Sequence, residues 1–144
     1  MATYRTTIWT PRLPSDVFAY LARFSNAAEW DPGVIEAEDT TPGPPRQGST
    51  YRLVVALLGR RVPLDYRIAE IDPPQRVVLK AQNALIRSTD IIEVVPAPEA
   101  GSAVTYTATL TLKGVMALFA PLLGASFKRI GDRAAEGLRD TLAA

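Results

Sequence analysis

The stretch from Val104 to Leu112 alternates without a break: Val104, Tyr106, Ala108, Leu110 and Leu112 are separated by Thr105, Thr107, Thr109 and Thr111. Successive side chains of a strand point to opposite faces, so one face of this strand meets an apolar interior and the threonine face meets water. The next segment has a different period. From Val115 onward, Leu118, Leu122, Phe127, Ile130, Ala134, Leu138 and Leu142 fall on one broad stripe. Lys128, Arg129, Asp132, Arg133, Glu136, Arg139 and Asp140 cover much of the rest. This pattern is that of an amphipathic helix. Pro121 suits the opening of its long part. The roughly twenty residues beyond it make a rod of about 30 Å, long enough to cross a whole sheet.

The rest of the chain supplies that sheet. Tyr4 to Thr10 is β-branched and aromatic, a first strand stopped by Pro11 and Pro14. Pro14 and Asp16 fit the first turn of a helix carrying Val17, Phe18, Leu21 and Phe24 at helical spacing. A second short helical piece over Ser25 to Trp30 is broken by Asp31-Pro32-Gly33. Val34 to Leu112 then reads as β throughout. A proline-rich loop over 41–48 interrupts it, followed by strands over 51–58, 62–71, 77–83, 86–95 and 104–112. Turns arrive every ten or so residues, which predicts an antiparallel meander. The fold class is therefore α+β: about seven antiparallel strands, two short helices after the first, and a long C-terminal helix. At 144 residues and 47% hydrophobic content, residues 1–144 form one domain around one core.

Two absences bound the chemistry. The chain has no cysteine and no histidine, which excludes disulfides, thiol nucleophiles, zinc sites built on those residues and the Ser-His-Asp triad. No glycine-rich phosphate loop or metal-ligand cluster stands in the sequence, so neither cofactor nor metal is expected. With 16 basic against 15 acidic residues, nucleic acid is not an expected partner. The longest uncharged apolar run, Gly114 to Phe127, contains Pro121 and is shorter than the ~20 residues of a spanning helix, so no integral membrane segment is expected. Residues 1–10 lack the apolar core of a signal peptide, and the expected location is cytoplasmic.

Strand parity nominates the inner face. Arg52 outside places Tyr51, Leu53, Val55 and Leu57 inside; Asp65 and Arg67 outside place Val62, Leu64, Tyr66 and Ile68 inside. By the same reasoning Val77, Leu79, Ala81 and Asn83 face inward, as do Ile86, Ser88, Asp90, Ile92 and Val94. This set is mostly aliphatic, yet it holds Tyr51, Tyr66, Tyr106, Asn83, Ser88 and Asp90. Polar groups buried without partners cost about 1–3 kcal/mol each, so they meet one another, water or a ligand. Asp90 has a further reading as an ion-pair partner of Arg87 or Arg67. Trp30 reads either as a plug under the short helices or as a gate and ligand contact. Val115 to Leu123 reads as core, as a membrane-touching flap or as a homodimer contact.

The order strand, two short helices, meander and long helix resembles the helix-grip fold of the START and Bet v 1-like (SRPBCC) superfamily. Within it, the chain resembles the polyketide cyclase/dehydrase and lipid-transport group. The residues carrying the likeness are Pro14-Ser15-Asp16-Val17-Phe18, Trp30-Asp31-Pro32-Gly33-Val34, Gly48-Ser49-Thr50-Tyr51, and Val104-Thr105-Tyr106 with Gly101 before it, together with the terminal helix. The resemblance implies a curved sheet gripping the helix around a deep cavity for a hydrophobic small molecule, with Trp30 at the mouth. On strand and helix faces, the expected ligand contacts are Trp30, Tyr51, Leu53, Val55, Leu64, Tyr66, Leu79 and Asn83. Ser88, Asp90, Tyr106, Ala108, Leu110, Leu122, Phe127 and Ile130 complete them. Binding of a hydrophobic ligand is the leading expectation. A polyketide cyclase or dehydratase is the second, with Asp90 as the acid/base group and Tyr66 or Tyr106 bonding an enolate oxygen. A protein-interaction module with a closed cavity is the third.

Overall fold

The computed structural model describes residues 1–143. The elements follow in the expected order. Strand β1 (Ala2–Thr10) leads into helix α1 (Pro14–Ala22), a 3-10 turn (Phe24–Asn26) and helix α2 (Ala27–Trp30). Strands β2 (Val34–Asp39), β3 (Thr50–Leu57), β4 (Arg60–Asp72), β5 (Arg76–Gln82), β6 (Ile86–Pro96) and β7 (Ser102–Leu112) form the meander. A 3-10 segment (Gly114–Phe119) and the long helix α3 (Ala120–Thr141) close the chain. The seven strands make one antiparallel sheet in the order β1-β7-β6-β5-β4-β3-β2, with β1 returning to pair with β7.

The parity expected from the sequence holds along β3 to β7. Leu53, Leu64, Tyr66, Ile68, Leu79, Ile92 and Val104 are buried in one core. Register shifts in β2, between Val34 and Glu36, and in β4, between Ile68 and Glu70, are the bulges that bend the sheet at that end. The short helices cover one part of the concave face, where Val17, Phe18, Leu21, Phe24 and Trp30 join the core. Helix α3 crosses the remainder.

Close backbone approach fixes α3 at its C-terminal end. Gly137 faces the carbonyl of Trp30 so tightly that an added Cβ would overlap that oxygen, and a Cβ at Gly131 would overlap the Tyr4 ring. Hydrogen bonds tie the same half of the helix to β1 and the segment after it. The Tyr4 hydroxyl donates to Asp132 at 2.7 Å, the Thr10 hydroxyl to the Leu142 carbonyl at 2.6 Å, and Arg12 to the Thr141 carbonyl at 3.1 Å.

Of the three readings left open for Val115 to Leu123, the core one holds for Leu123 but not for the segment as a whole. No residue of Gly114–Phe119 is buried; Leu118 is 82% exposed and Leu122 60%, while Leu123 takes the buried position. The reason is helical phase. At about 100° per residue, Leu122 lies roughly 160° away from the core-facing Leu138, whereas Leu123 lies about 60° away. The 3-10 winding before Ala120 further breaks the register that placed Leu118 on the stripe.

Candidate functional site

Between the concave sheet and α3 lies a cavity of about 120 Å³. Its floor is the inner face of β3, β4, β6 and β7; its roof is Phe127, Ile130, Ala134 and Leu138 of α3, and Trp30, Asp31 and Gly33 close one side. The space exists because small residues sit where the inner faces come together. Ala108 lies directly opposite Asp90 in the β6–β7 ladder, and Gly131, Ala134 and Ala135 face it from the helix.

The polar groups are organised in two pairs. Asp90 and Tyr106 are diagonal neighbours on one face of adjacent strands, and the Tyr106 hydroxyl donates to Asp90 Oδ2 at 2.8 Å. The hydroxyls of Tyr66 and Ser88 lie 2.8 Å apart, reaching across β5. Each tyrosine is braced by an aromatic ring from the short helices. Trp30 meets Tyr106 edge-on at 5.4 Å, and Phe24 meets Tyr66 edge-on at 4.9 Å.

The electrostatics follow from burial. Removal from water pushes the Asp90 carboxyl up to about 7, opposed by the Tyr106 hydrogen bond and reinforced by the charge of Asp31. Asp31 rises to about 6 for the same first reason, with the Gly33 amide, 2.8 Å from its Oδ1, holding it back. Tyr66 and Tyr106 are held well above the usual phenol range by burial and by the Asp90 carboxylate, so both stay protonated donors. The site can thus offer a carboxyl group that gains or loses a proton near neutrality, and a phenol within one apolar enclosure.

Of the residues expected from the sequence, Trp30, Val55, Leu64, Tyr66, Ser88, Asp90, Tyr106, Ala108, Leu110, Phe127 and Ile130 line this cavity. Trp30 is both plug and wall: it is 3% exposed and still borders the cavity. Tyr51, Leu53 and Leu79 face inward but are packed in the solid core rather than on the cavity. Asn83 does not face inward. It lies beyond the end of β5, is exposed, and its Oδ1 accepts the amides of Leu85 and Ile86 to close the β5–β6 turn. Leu122 points away from the cavity for the helical-phase reason given above. Asp90 pairs with no arginine: Arg87 is exposed on the opposite face of β6, and Arg67 on the opposite face of β4. Strand parity does not nominate Asp31, Tyr4, Thr6 or Gly131, which also line the cavity. Asp31 reads as a turn residue in Asp31-Pro32-Gly33, and it does make that turn, but the turn lies against the cavity. The apolar stripe of the last helix signals the roof, and the small residues at 131, 134 and 135 on it signal where the roof approaches closely.

Among the described residues there is no cluster of acidic side chains able to hold a metal ion, and no helix is long and apolar enough to cross a membrane. The fold is similar to that of a START superfamily protein from Mycobacterium smegmatis, with 10% identity, 99% of this chain and 97% of that chain covered, and a TM-score of 0.78. A Thermus thermophilus protein is similar at 17% identity, with 97% and 96% covered and a TM-score of 0.77. An aromatase/cyclase from Streptomyces sp. R1128 is similar at 13% identity, with 97% and 92% covered and a TM-score of 0.78. No curated protein matches the sequence. The family model described as polyketide cyclase / dehydrase and lipid transport matches residues 1–143, and a chain whose whole length carries that pattern on a helix-grip fold belongs to this family.

Proposed function

We propose that this protein is a cytoplasmic binder of a hydrophobic small molecule, held between the sheet and α3. The observation that carries this reading is the cavity itself: an apolar space lined by the small side chains of Ala108 and Ala134, where larger ones would have filled it. At about 25 cal/mol per Å² of apolar surface removed from water, burial supplies the affinity, and the Tyr66–Ser88 and Tyr106–Asp90 pairs set orientation. A cavity of about 120 Å³ is comparable with the roughly 150 Å³ apolar cavity that takes up one benzene ring, so the buried part of the ligand is about one ring in size.

Trp30 provides the readout. Only Trp9 competes with it, and Trp9 is exposed on the far face of β1, so a Trp9→Phe protein reports from the cavity wall alone. Saturable change of Trp30 emission with a neutral hydrophobic ligand, abolished by filling the cavity with Ala134→Phe, is the expected result. Emission indifferent to such ligands, in a protein that also releases no small molecule in native mass spectrometry, would defeat the reading.

A cyclase or dehydratase is the second reading, and the Asp90–Tyr106 pair favours it. A carboxyl near 7 is suited to moving a proton on and off carbon next to a carbonyl. Because Tyr106 already donates to Asp90, the developing oxyanion would fall to Tyr66, with Ser88 donating in turn to Tyr66. Turnover of a poly-β-ketone that survives Asp90→Asn unchanged rules this mechanism out.

A further inference from the structure

We propose that the cavity selects its ligand by charge, taking a lipophilic amine whose ammonium group meets Asp31 and Asp90 and refusing the matching carboxylic acid. This rests on the ligand-binding reading and narrows it to a chemical class. The charged side chains on the cavity wall are both acidic, Asp31 and Asp90; no lysine or arginine borders it. Neither aspartate takes part in the ion pairs of the described residues, which join Arg23 to Asp39, Arg52 to Asp65, Arg61 to Glu36, Arg76 to Glu70 and Lys128 to Asp132, all away from the cavity.

Each carboxylate has acceptor capacity to spare. Asp90 is only 5% exposed, and Tyr106 occupies Oδ2, while Oδ1 accepts no hydrogen bond from any described residue. Asp31 receives the Gly33 amide on Oδ1, which leaves Oδ2 for a ligand. An ammonium brings three donors and no acceptor, which matches two acceptor-rich groups. The aromatic walls, Trp30, Tyr66, Tyr106 and Phe127, suit both the apolar body of such a ligand and its cation. An anion in the same place has no cation to meet and is repelled by both aspartates. Arg129 and Arg133 line a second groove with Leu58 and Leu122, which shares Ile130 with the cavity.

The test uses three ligands of one size and shape: 3-phenylpropylamine, 3-phenylpropan-1-ol and 3-phenylpropanoate, titrated by calorimetry into the wild-type protein at low salt and about pH 8. The amine is expected to bind at least about tenfold more tightly than the acid, with the alcohol between them. Asp90→Asn should erase most of the amine's lead over the alcohol. Asp31→Asn, at the cavity's side, makes the same test without touching the Tyr106 pair. An acid that binds as tightly as the amine overturns the charge selection and leaves hydrophobic binding standing, as does an amine lead that neither variant reduces. Failure of the alcohol as well as the charged ligands removes the binding reading itself, and this inference with it.

Discussion

The two ends of α3 belong to one helix, yet they meet the rest of the protein on different terms. The trailing half is seated. Leu138 and Leu142 are buried, Gly137 sits under the Trp30 carbonyl, and three hydrogen bonds from Tyr4, Thr10 and Arg12 reach it. The leading end, with the 3-10 segment before it, presents Val115, Leu118, Phe119 and Leu122 to water and is held chiefly by Leu123. A grip therefore needs one fixed end to define the cavity, and the other end contributes little to the fold's stability. Hydrophobic content alone does not say which is which, since the leading end is the more apolar of the two in sequence.

Mutations sharpen that contrast, beginning with the largest effect. Leu138→Ala should cost about 3–4 kcal/mol in urea unfolding, the usual loss for a buried leucine in a site that cannot collapse. Gly137→Ala should cost about 2–3 kcal/mol despite the better helix propensity of alanine, because its methyl meets backbone and the helix must lift. If it is instead stabilising, the trailing half is not seated as described.

The two cavity aspartates, between the two ends, yield a pH dependence of roughly 4 kcal/mol between pH 5 and 8. Asp90 and Asp31 have folded-state values raised above the unfolded one, so the folded protein holds their protons more tightly. Their contribution is fully present below the unfolded value of about 4 and is lost as pH rises through about 6 and 7. Thermal melts from pH 5 to 8 should therefore show falling stability, and Asp90→Asn should flatten the slope. Gly131→Ala should cost about 2 kcal/mol, since its methyl would overlap the base of the Tyr4 ring, which Asp132 holds at its hydroxyl. Leu118→Ser and Leu122→Ser close the series at within about 0.5 kcal/mol.

Most of the architecture is legible because period-2 and period-3.6 patterns are strong in this chain. The Val104–Leu112 alternation and the parity of β3 to β6 place Tyr66, Ser88, Asp90 and Tyr106 on the right face. Parity fails where strands end: Asn83 continues the arithmetic of β5, but the chain has already turned there. It also cannot separate a filled interior from a hollow one, so it groups Tyr51, Leu53 and Leu79 with the cavity though they pack in the core. Whether an inner residue borders space depends on what lies opposite, and that is decided by α3 and by the small residues on it. Asp31 escapes a sequence reading because its local role in a turn explains it completely until the turn is seen against the cavity.

The bond from Thr10 to Leu142 also governs the order of assembly. It joins residues 132 apart, and β1 itself stays unpaired until β7 exists. Strands β2 to β6 can pair with their chain neighbours as they are made, but the part of their concave apolar face that lies under α3 has no cover at that stage. Closing a loop of such length is entropically costly and is repaid only when β1, β7 and the helix dock together. The cavity is therefore complete only once the two ends of the chain have met, rather than growing with the sheet.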